Sequence, residues 1–361
     1  MNIAICSATP YQTLNAVNLA CNVLEQRDRK ELFYRNFSDE TDKILMRLKK
    51  YDIFDEIHPY VLKEKRHSLG YYFNDFLQAA YPQAFARSVL SNSVDLSRKN
   101  YGCLTVTAGT EMEVALFRIF QNARLIAYDD GIGSYVGDIV HDHHLRFIWR
   151  LLGRRTDKIW PEVLYVNNAS LCRSKLCANI CQLPKMERMS DDYMRMIYDV
   201  FGFAERCSFY RSTRLVYLTQ PYEELGASIR KNANLIENVI QPYRQNCVIR
   251  IHPRDMKANF PDNRLDRGET LWELICENEI TDSHVLLCLC SSAAVMPKVL
   301  FDKEPWIIFA YRLFSGMEER IEREHFNPLI SIIKSSYRDK QKVIVPETAN
   351  ELQAALSRIM E

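Results

Sequence analysis

The chain has 361 residues, of which 47% are hydrophobic and 26% are charged. This length exceeds what a single hydrophobic core usually supports, so we expect two domains of roughly 150 to 180 residues. The formal net charge of +1 excludes a basic surface over the whole chain for nucleic acid, and the composition excludes a disordered or fibrous protein.

The N-terminal stretch MNIAICSATP opens into a strand-like run and lacks the pattern of a signal peptide, so we expect a cytoplasmic protein with reduced thiols. No apolar run approaches the ~20 residues that a helix needs to cross a bilayer, which excludes an integral membrane protein. Cys172, Cys177 and Cys181 would bind a metal only with a fourth ligand from elsewhere, and ordinary apolar packing is the favoured interpretation.

Strand-like and helix-like segments alternate along the first half of the chain. Strands are predicted at 2–8, 31–37, 56–62, 103–108 and 124–130, and helices at 13–27, 41–51, 71–90 and 112–120. Such an alternation predicts a parallel sheet with helices on both faces.

The same alternation returns after a less regular region. Strands are predicted at 214–221, 246–253, 284–290, 305–311 and 342–347, and helices at 227–243, 291–301 and 349–360. We therefore predict an α/β fold with two Rossmann-like domains, residues 1–160 and 211–361, joined by an irregular connecting region over 161–210. Ligands of such sheets bind beyond the carboxyl ends of the strands, and the cleft between two domains is a natural site.

Polar clusters stand where that rule places ligands, just after five predicted strands. These clusters contain Thr9 and Gln12; Asp129, Asp130 and Gly131; Thr219, Gln220, Glu223 and Glu224; His252, Pro253 and Arg254; and Ser291 and Ser292.

Two of these clusters suit a phosphate. Ser291 and Ser292 precede a helix, whose free N–H groups and positive dipole end attract anions, although an ordinary helix cap without a ligand is the alternative. His252 can protonate or hydrogen-bond a departing phosphate oxygen, because the ordinary pKa of histidine lies near neutrality. Pro253 fixes the backbone beside it, and Arg254 can grip a phosphate with two donors. The alternative for His252 is a bond to a turn carbonyl.

Two acidic pairs could supply a general base, Asp129 with Asp130 and Glu223 with Glu224. Gly131 permits a tight turn, and a polar turn without catalytic function is the alternative for the aspartate pair. Carboxylates can also hold a divalent ion, and a histidine-rich turn follows, but we expect no metal. That turn contains Asp138, His141, Asp142, His143 and His144.

A basic and aromatic stretch over 143–160 has the composition of a surface that contacts anionic membranes. Core packing or an oligomer contact is the alternative. Peripheral contact with the inner face of the cytoplasmic membrane is one use that the composition of this stretch allows.

The order of the Asp-Asp-Gly, His-Pro and Ser-Ser motifs resembles that of bacterial sialyltransferases. The segments CSATPYQTLNA, YDDGIGSY, LTQPYEELG and IRIHPR are most similar to glycosyltransferase family 52, which includes lipooligosaccharide and capsule sialyltransferases. The resemblance implies the GT-B fold, in which two Rossmann-like doubly wound domains face a cleft, with the acceptor side in the N-terminal domain and the nucleotide sugar in the C-terminal domain. It also makes a homodimer an expectation.

The resemblance further implies an inverting transferase that moves sialic acid from CMP-sialic acid to a galactose-terminated glycan, without a cofactor or an obligatory metal. His252 would act on the leaving CMP phosphate, which Ser291 and Ser292 would hold. Related sialyltransferases take the base from the Asp-Asp-Gly motif, whereas in family 52 an acidic residue after Thr-Gln-Pro competes, and Glu223 or Glu224 is narrowly preferred here. Donor contacts are expected from Thr219, Gln220, Pro253 and Arg254, and acceptor-side contacts from Thr9, Gln12 and Gly131.

Two other functions stay open. A UDP-hexose-dependent glucosyl or galactosyl transferase of the same fold would use the same strand-end clusters. A non-catalytic glycan-binding or assembly subunit would keep the fold and lose the chemistry.

Overall fold

The chain forms two units, Met1–Phe201 and Gly202–Glu361, each built around one parallel sheet. The computed structural model describes residues 1–62, 77–78, 80–91, 94–107, 110–137, 160–175, 177–203, 210–221, 234–255, 260, 264–268, 270–317, 321 and 326–361.

Seven parallel strands form the sheet of the first unit. They are β1 (Asn2–Ser7), β2 (Arg29–Arg35), β3 (Glu56–Tyr60), β4 (Cys103–Val106), β5 (Arg124–Tyr128), β6 (Val163–Val166) and β7 (Ile180–Gln182). Their spatial order is β3-β2-β1-β4-β5-β6-β7. The order reverses direction beside β1, as in doubly wound sheets, and a ligand of such a sheet binds near that reversal.

The described helices of the first unit connect and cover these strands. They are α1 (Pro10–Asn22), α2 (Asp39–Leu48), α3 (Pro82–Val89), α4 (Glu111–Ile119), α5 (Ile132–Val136) and α6 (Asp191–Phe201). Side-chain caps set two of the starts: the N–H of Gln12 donates to Thr9 Oγ1 over 3.2 Å, and the N–H of Thr41 donates to Ser38 Oγ over 3.3 Å. The strands predicted in this half are confirmed.

The second unit repeats the architecture with six parallel strands. They are β8 (Leu215–Leu218), β9 (Cys247–Arg250), β10 (Arg264–Asp266), β11 (Val285–Cys288), β12 (Trp306–Phe309) and β13 (Val343–Ile344), in the order β10-β9-β8-β11-β12-β13. Its described helices are α7 (Asn234–Ile240), α8 (Trp272–Asn278), α9 (Met296–Phe301), α10 (Phe326–Ser336) and α11 (Ala349–Met360). The predicted pair of doubly wound parallel-sheet domains is therefore confirmed.

Part of the segment predicted as an irregular connection, 161–210, belongs to the first unit instead. The strands β6 and β7 extend the first sheet, and α6 packs against α2. These strands have only four and three residues, and β7 is an edge strand with little burial, so neither shows a hydrophobic period in the sequence.

Among the described residues, no helix has the length and apolar character needed to cross a membrane. Of the basic aromatic stretch 143–160, residues 143–159 lie outside the described residues. Its last residue, Trp160, is described and is 56% exposed.

We predict that Leu287→Ala destabilises the second unit by about 2–5 kcal/mol. Leu287 is fully buried in β11, between β8 and β12, so the shorter side chain leaves a cavity. Met46→Ala on α2 is the control, because the side chain of Met46 is 70% exposed. Urea unfolding followed by circular dichroism measures both losses, and equal losses would contradict the assigned core.

Candidate functional site

Residues from two separate strand ends meet at the carboxyl edge of the first sheet. The strand β1 ends at Ser7 and β5 ends at Tyr128, and both pair with β4. Tyr128 lies under this edge and donates its hydroxyl proton to the backbone oxygen of Cys6. The segment that begins α1 and the segment that follows β5 are thereby held side by side.

Asp129 follows β5 directly, and its side chain is completely buried. Its Oδ1 accepts from the N–H of Gly131 over 2.8 Å, and its Oδ2 accepts from the Tyr135 hydroxyl over 2.6 Å. The same Oδ2 accepts from the backbone and side-chain nitrogens of Asn167 over 3.0 and 3.1 Å. Burial raises the pKa of Asp129, while these four donors oppose that rise. With its oxygens occupied in this way, the carboxyl group holds the turn together.

An asparagine network completes the support of Asp129. Asn167 Nδ2 also donates to Asn15 Oδ1 over 2.9 Å and to the Tyr11 hydroxyl over 3.0 Å, and Asn15 Nδ2 donates to the backbone oxygen of Asp129 over 3.0 Å. Sequence reasoning missed Asn15 and Asn167. For Asn15 the available signal was a polar residue among the apolar residues of α1. The structure shows that it is buried there, with 2% of its surface exposed.

Asp130 has a different environment from its neighbour. It is half-buried, its backbone N–H donates to Ser134 Oγ over 2.8 Å, and its Oδ1 accepts from Gln12 Nε2. Burial raises the pKa of Asp130 to about 7, the negative charges of Glu113 and Asp129 add to the rise, and the Gln12 hydrogen bond opposes it. A carboxyl group that ionises near neutrality is suited to act as a general base.

Glu113 is a third carboxyl group at this edge, and sequence reasoning missed it. Its Oε1 accepts from the backbone N–H and the hydroxyl of Thr107, each over 2.7 Å, and its Oε2 accepts from the N–H of Thr110 over 2.6 Å. Burial raises the pKa of Glu113. The pattern Thr110-x-x-Glu113 at the start of α4 is the sequence signal that could have found it.

The second unit brings a histidine to the carboxyl edge of its sheet. The N–H of His252, just beyond β9, donates to Thr219 Oγ1 at the end of β8 over 2.8 Å. The N–H of Arg254 donates to His252 Nδ1 over 3.1 Å, so the ring proton is on Nε2. Burial and then the charge of Arg254 lower the pKa of His252 to about 4. His252 is therefore neutral at pH 7 and can donate a hydrogen bond from Nε2.

Ser291 follows β11, which pairs with β8, so it lies at the same edge as Thr219 and His252. Its Oγ accepts from the N–H of Ala293 over 3.3 Å and caps the short 3-10 helix Ser292–Val295 that leads into α9. A hydroxyl that accepts in this way still has a proton to donate. Gln220 is buried beside Thr219, whereas Pro253 and Arg254 are exposed.

A neighbouring arginine in this sheet has a structural function. Arg250 lies in β9, pairs with Asp266 and donates to the backbone oxygen of Thr270 over 2.7 Å. Its guanidinium carbon lies 5.3 Å from the ring centroid of Trp272, whose Nε1 donates to the backbone oxygen of Ala293 over 2.7 Å. Arg250 thus anchors α8 and, through Trp272, the helix capped by Ser291.

Several residues singled out in the sequence lie outside the described residues or apart from the two edges. Glu223 and Glu224 lie outside them, as do Asp138, His141, Asp142, His143 and His144. Cys172 is buried, with Sγ 3.2 Å from the backbone oxygen of Ser134, whereas Cys181 is exposed on β7. Within the described part of the chain, Cys172, Cys177 and Cys181 do not form a metal-ligand group.

The described residues do contain one group with metal-ligand spacing, Glu31, Glu56 and His58. Lys99 Nζ lies 2.9 Å from carboxylate oxygens of both glutamates, and Arg29 pairs with both as well. A divalent cation would compete with these two cations. We interpret the group as an ion-pair network that joins β2 to β3.

A cavity of about 300 Å³ opens at the other edge of the second sheet. Its lining includes Arg214, Asn246 and His284, which directly precede β8, β9 and β11. Ligands of parallel sheets bind at the carboxyl edge, so we assign this cavity no part in the site.

Neither a protein-family model nor a curated protein sequence matches this chain at a significant level. Solved structures match over nearly all of it. The UDP-GlcNAc 2-epimerase of Methanocaldococcus jannaschii, in complex with UDP-GlcNAc and UDP, has a TM-score of 0.55 at 12% identity, covering 100% of this chain and 93% of that chain.

Two glycosyltransferase structures are similar to the same extent. The glycotransferase of kitacinnamycin has a TM-score of 0.57 at 10% identity, with 99% of this chain and 90% of that chain covered. The spinosyn rhamnosyltransferase complexed with thymidine diphosphate has a TM-score of 0.53 at 10% identity, with 100% and 92% covered. The chain has their fold. The predicted GT-B class is thereby confirmed.

We predict that Gly131→Ala destabilises the first unit by about 1–3 kcal/mol, because Gly131 has a φ of +104°, a conformation that side chains disfavour. Gly133→Ala is the matched control: Gly133 lies in α5, and a Cβ there would meet nothing within 4 Å. Alanine at this helical position should be neutral or stabilising. Scanning calorimetry compares the two, and equal effects would contradict the role of the Gly131 backbone.

Proposed function

We propose that this protein is an inverting glycosyltransferase that uses a nucleotide-sugar donor and a glycan acceptor, with Asp130 as the general base. The observation that carries the proposal is the half-buried Asp130 carboxyl group, whose pKa of about 7 leaves it ready to take a proton at neutral pH. The shared fold with enzymes of nucleotide sugars supports the same conclusion.

The proposed reaction is a single displacement. Asp130 takes the proton of the acceptor hydroxyl as its oxygen attacks the anomeric carbon, and the bond from that carbon to the donor phosphate oxygen breaks with its electron pair leaving on the phosphate. Donors that suit such a phosphate lie at the carboxyl edge of the second sheet: the Nε2–H of His252, the hydroxyls of Ser291 and Ser292, and the guanidinium of Arg254. Because His252 is neutral at pH 7, it acts as a hydrogen-bond donor and not as a charged acid.

For the donor we propose CMP-sialic acid, in keeping with the resemblance to glycosyltransferase family 52. The support comes from the described residues at the carboxyl edge of the second sheet, where a neutral histidine, hydroxyls and Arg254 suit a leaving group with one phosphate better than a sugar diphosphate. The acceptor in this proposal is a galactose-terminated glycan of lipooligosaccharide or capsule, and no cofactor or metal is required. Peripheral membrane contact through 143–160 and a homodimer stay predictions.

A UDP-hexose donor is the second candidate. One observation favours it: a structural neighbour was solved with UDP-GlcNAc and UDP, and another with thymidine diphosphate. The carboxyl group after Thr219 and Gln220 also stays a candidate base, since Glu223 and Glu224 lie outside the described residues.

We predict that Asp130→Asn lowers kcat by about 10²- to 10⁴-fold, because amide nitrogen and oxygen cannot take the acceptor proton. In the wild type, kcat/KM should rise as the pH passes through about 7 and level off more than one pH unit higher, where Asp130 is almost fully ionised. Asp129→Asn is the matched control and should lower the stability by about 1–3 kcal/mol. The new amide NH₂ group would face N–H and O–H groups that donate to the Asp129 carboxyl group in the wild type. Steady-state rates and thermal midpoints of both variants separate the loss of catalysis from the loss of stability. Full activity of Asp130→Asn would show that Asp130 is not the base.

The same substitution has a pH-dependent effect on stability. The pKa of Asp130 is raised in the folded protein, so the protonated form stabilises the fold, and this contribution is lost as pH rises through about 7. Asp130→Asn should therefore increase the thermal midpoint more at pH 8 than at pH 5. An equal change at both values would show that Asp130 is not buried as described.

We predict that CMP raises the thermal midpoint in the presence of a chelator, and that UDP and thymidine diphosphate raise it less. His252→Ala should weaken the CMP effect and lower turnover of CMP-sialic acid, because the Nε2–H donor is lost. Ser336→Ala, at the end of α10, serves as a distant control. Stabilisation by UDP without stabilisation by CMP would replace the sialyl donor with the UDP-hexose donor.

A further inference from the structure

The side chain of Gln12 is held in one orientation at the edge of the first sheet. Its Oε1 accepts from the N–H of Ala8 over 2.6 Å, so its Nε2 must point the other way, and there it donates to Asp130 Oδ1. Gln12 is 2% exposed, and its own N–H is tied to Thr9 Oγ1. A flipped amide would set its NH₂ against the N–H of Ala8 and its oxygen against the carboxylate, so the observed orientation is strongly favoured.

The contact with Gln12 makes the two oxygens of Asp130 unequal. Gln12 occupies Oδ1, and among the described residues no hydrogen bond is made by Oδ2. On the other side of the residue, the Asp130 N–H donates to Ser134 Oγ and fixes the backbone. The carboxyl group is therefore oriented by two contacts that leave one oxygen for another molecule.

We propose that Gln12 is the positioning residue of Asp130, holding Oδ1 so that Oδ2 is the oxygen that receives the proton of the acceptor hydroxyl. This inference rests on the proposed function and adds to it a named atom and a residue that acts through the base. Gln12 acts through its hydrogen bond to Asp130 Oδ1, and not as an acid or a base itself.

The hydrogen bond from Gln12 also affects the pKa of Asp130, because negative charges face that carboxyl group. Glu113, from α4, and the adjacent Asp129 both act on it with negative charge, and Gln12 is the donor that opposes them. Replacing Gln12 with a residue of similar size and no amide leaves Asp130 beside two carboxyl groups without that donor. Its pKa should rise further, and its carboxyl group should be free to rotate.

The test is Gln12→Met in the full chain, with Gln78→Met as the matched control. Gln78 is 1% exposed in the same unit, and its Nε2 donates to the backbone oxygen of Glu111 over 2.5 Å. Both variants lose a buried amide, but Gln12→Met loses two hydrogen bonds and Gln78→Met loses one, so the loss of stability should be larger in Gln12→Met. Carbon-13 NMR of labelled aspartate carboxyl carbons, assigned with Asp130→Asn, gives the titration midpoint of Asp130 directly and without turnover.

We expect the midpoint of Asp130 to rise by about one pH unit or more in Gln12→Met and to stay at its wild-type value in Gln78→Met. The rise of kcat/KM with pH should move upward by the same amount, so that activity below pH 7 falls about tenfold and the difference narrows above pH 9. Loss of activity by the same factor at every pH would indicate a merely structural role and would overturn the inference.

The two proposals fail in distinguishable ways. An unchanged NMR midpoint in Gln12→Met would overturn the positioning contact, whatever the activity. A midpoint that rises while the pH profile of kcat/KM stays in place would show that Asp130 is not the base, which rejects the base of the proposed function together with the role of Oδ2.

Discussion

The buried carboxyl group of Asp129 is the constraint on which the first candidate edge depends. A buried carboxyl group is stable only with hydrogen-bond partners, and Asp129 takes them from the turn that follows β5 and from Asn167 beyond β6. One side chain thus ties two strand ends to each other, and Asn15 adds α1 to them. The position of Asp130 follows from these bonds, because it is the next residue in the same turn.

Adjacent aspartates therefore have different environments for a physical reason. Asp129 accepts from four donors and has no solvent exposure, whereas Asp130 accepts from Gln12 and keeps partial exposure. Burial raises the pKa of both groups, but of the two only Asp130 keeps some exposed surface. In the second unit, burial lowers the pKa of His252. The ring is therefore uncharged at neutral pH and acts as a hydrogen-bond donor.

The sequence predicted the strand-end clusters and the parallel sheets well, because buried parallel strands appear as apolar runs and the polar residues that end them stand out. It could not indicate that Asn167 supports Asp129, since the two are 38 residues apart and the connection passes through β6, which is too short to show a pattern. Glu113 lies in the first turn of a largely apolar helix, where the capping pattern with Thr110 was the available sequence signal. The neutral state of His252 depends on burial, which only the folded chain defines.

The grouping of Asp129, Asp130 and Glu113 at one edge also bears on which molecules can stay there. Two fully buried carboxyl groups and one half-buried carboxyl group produce a local negative potential, even when protons are shared among them. A neutral polar group is accepted more readily at such an edge than one that carries a carboxylate or a phosphate, so the edge itself selects against anions.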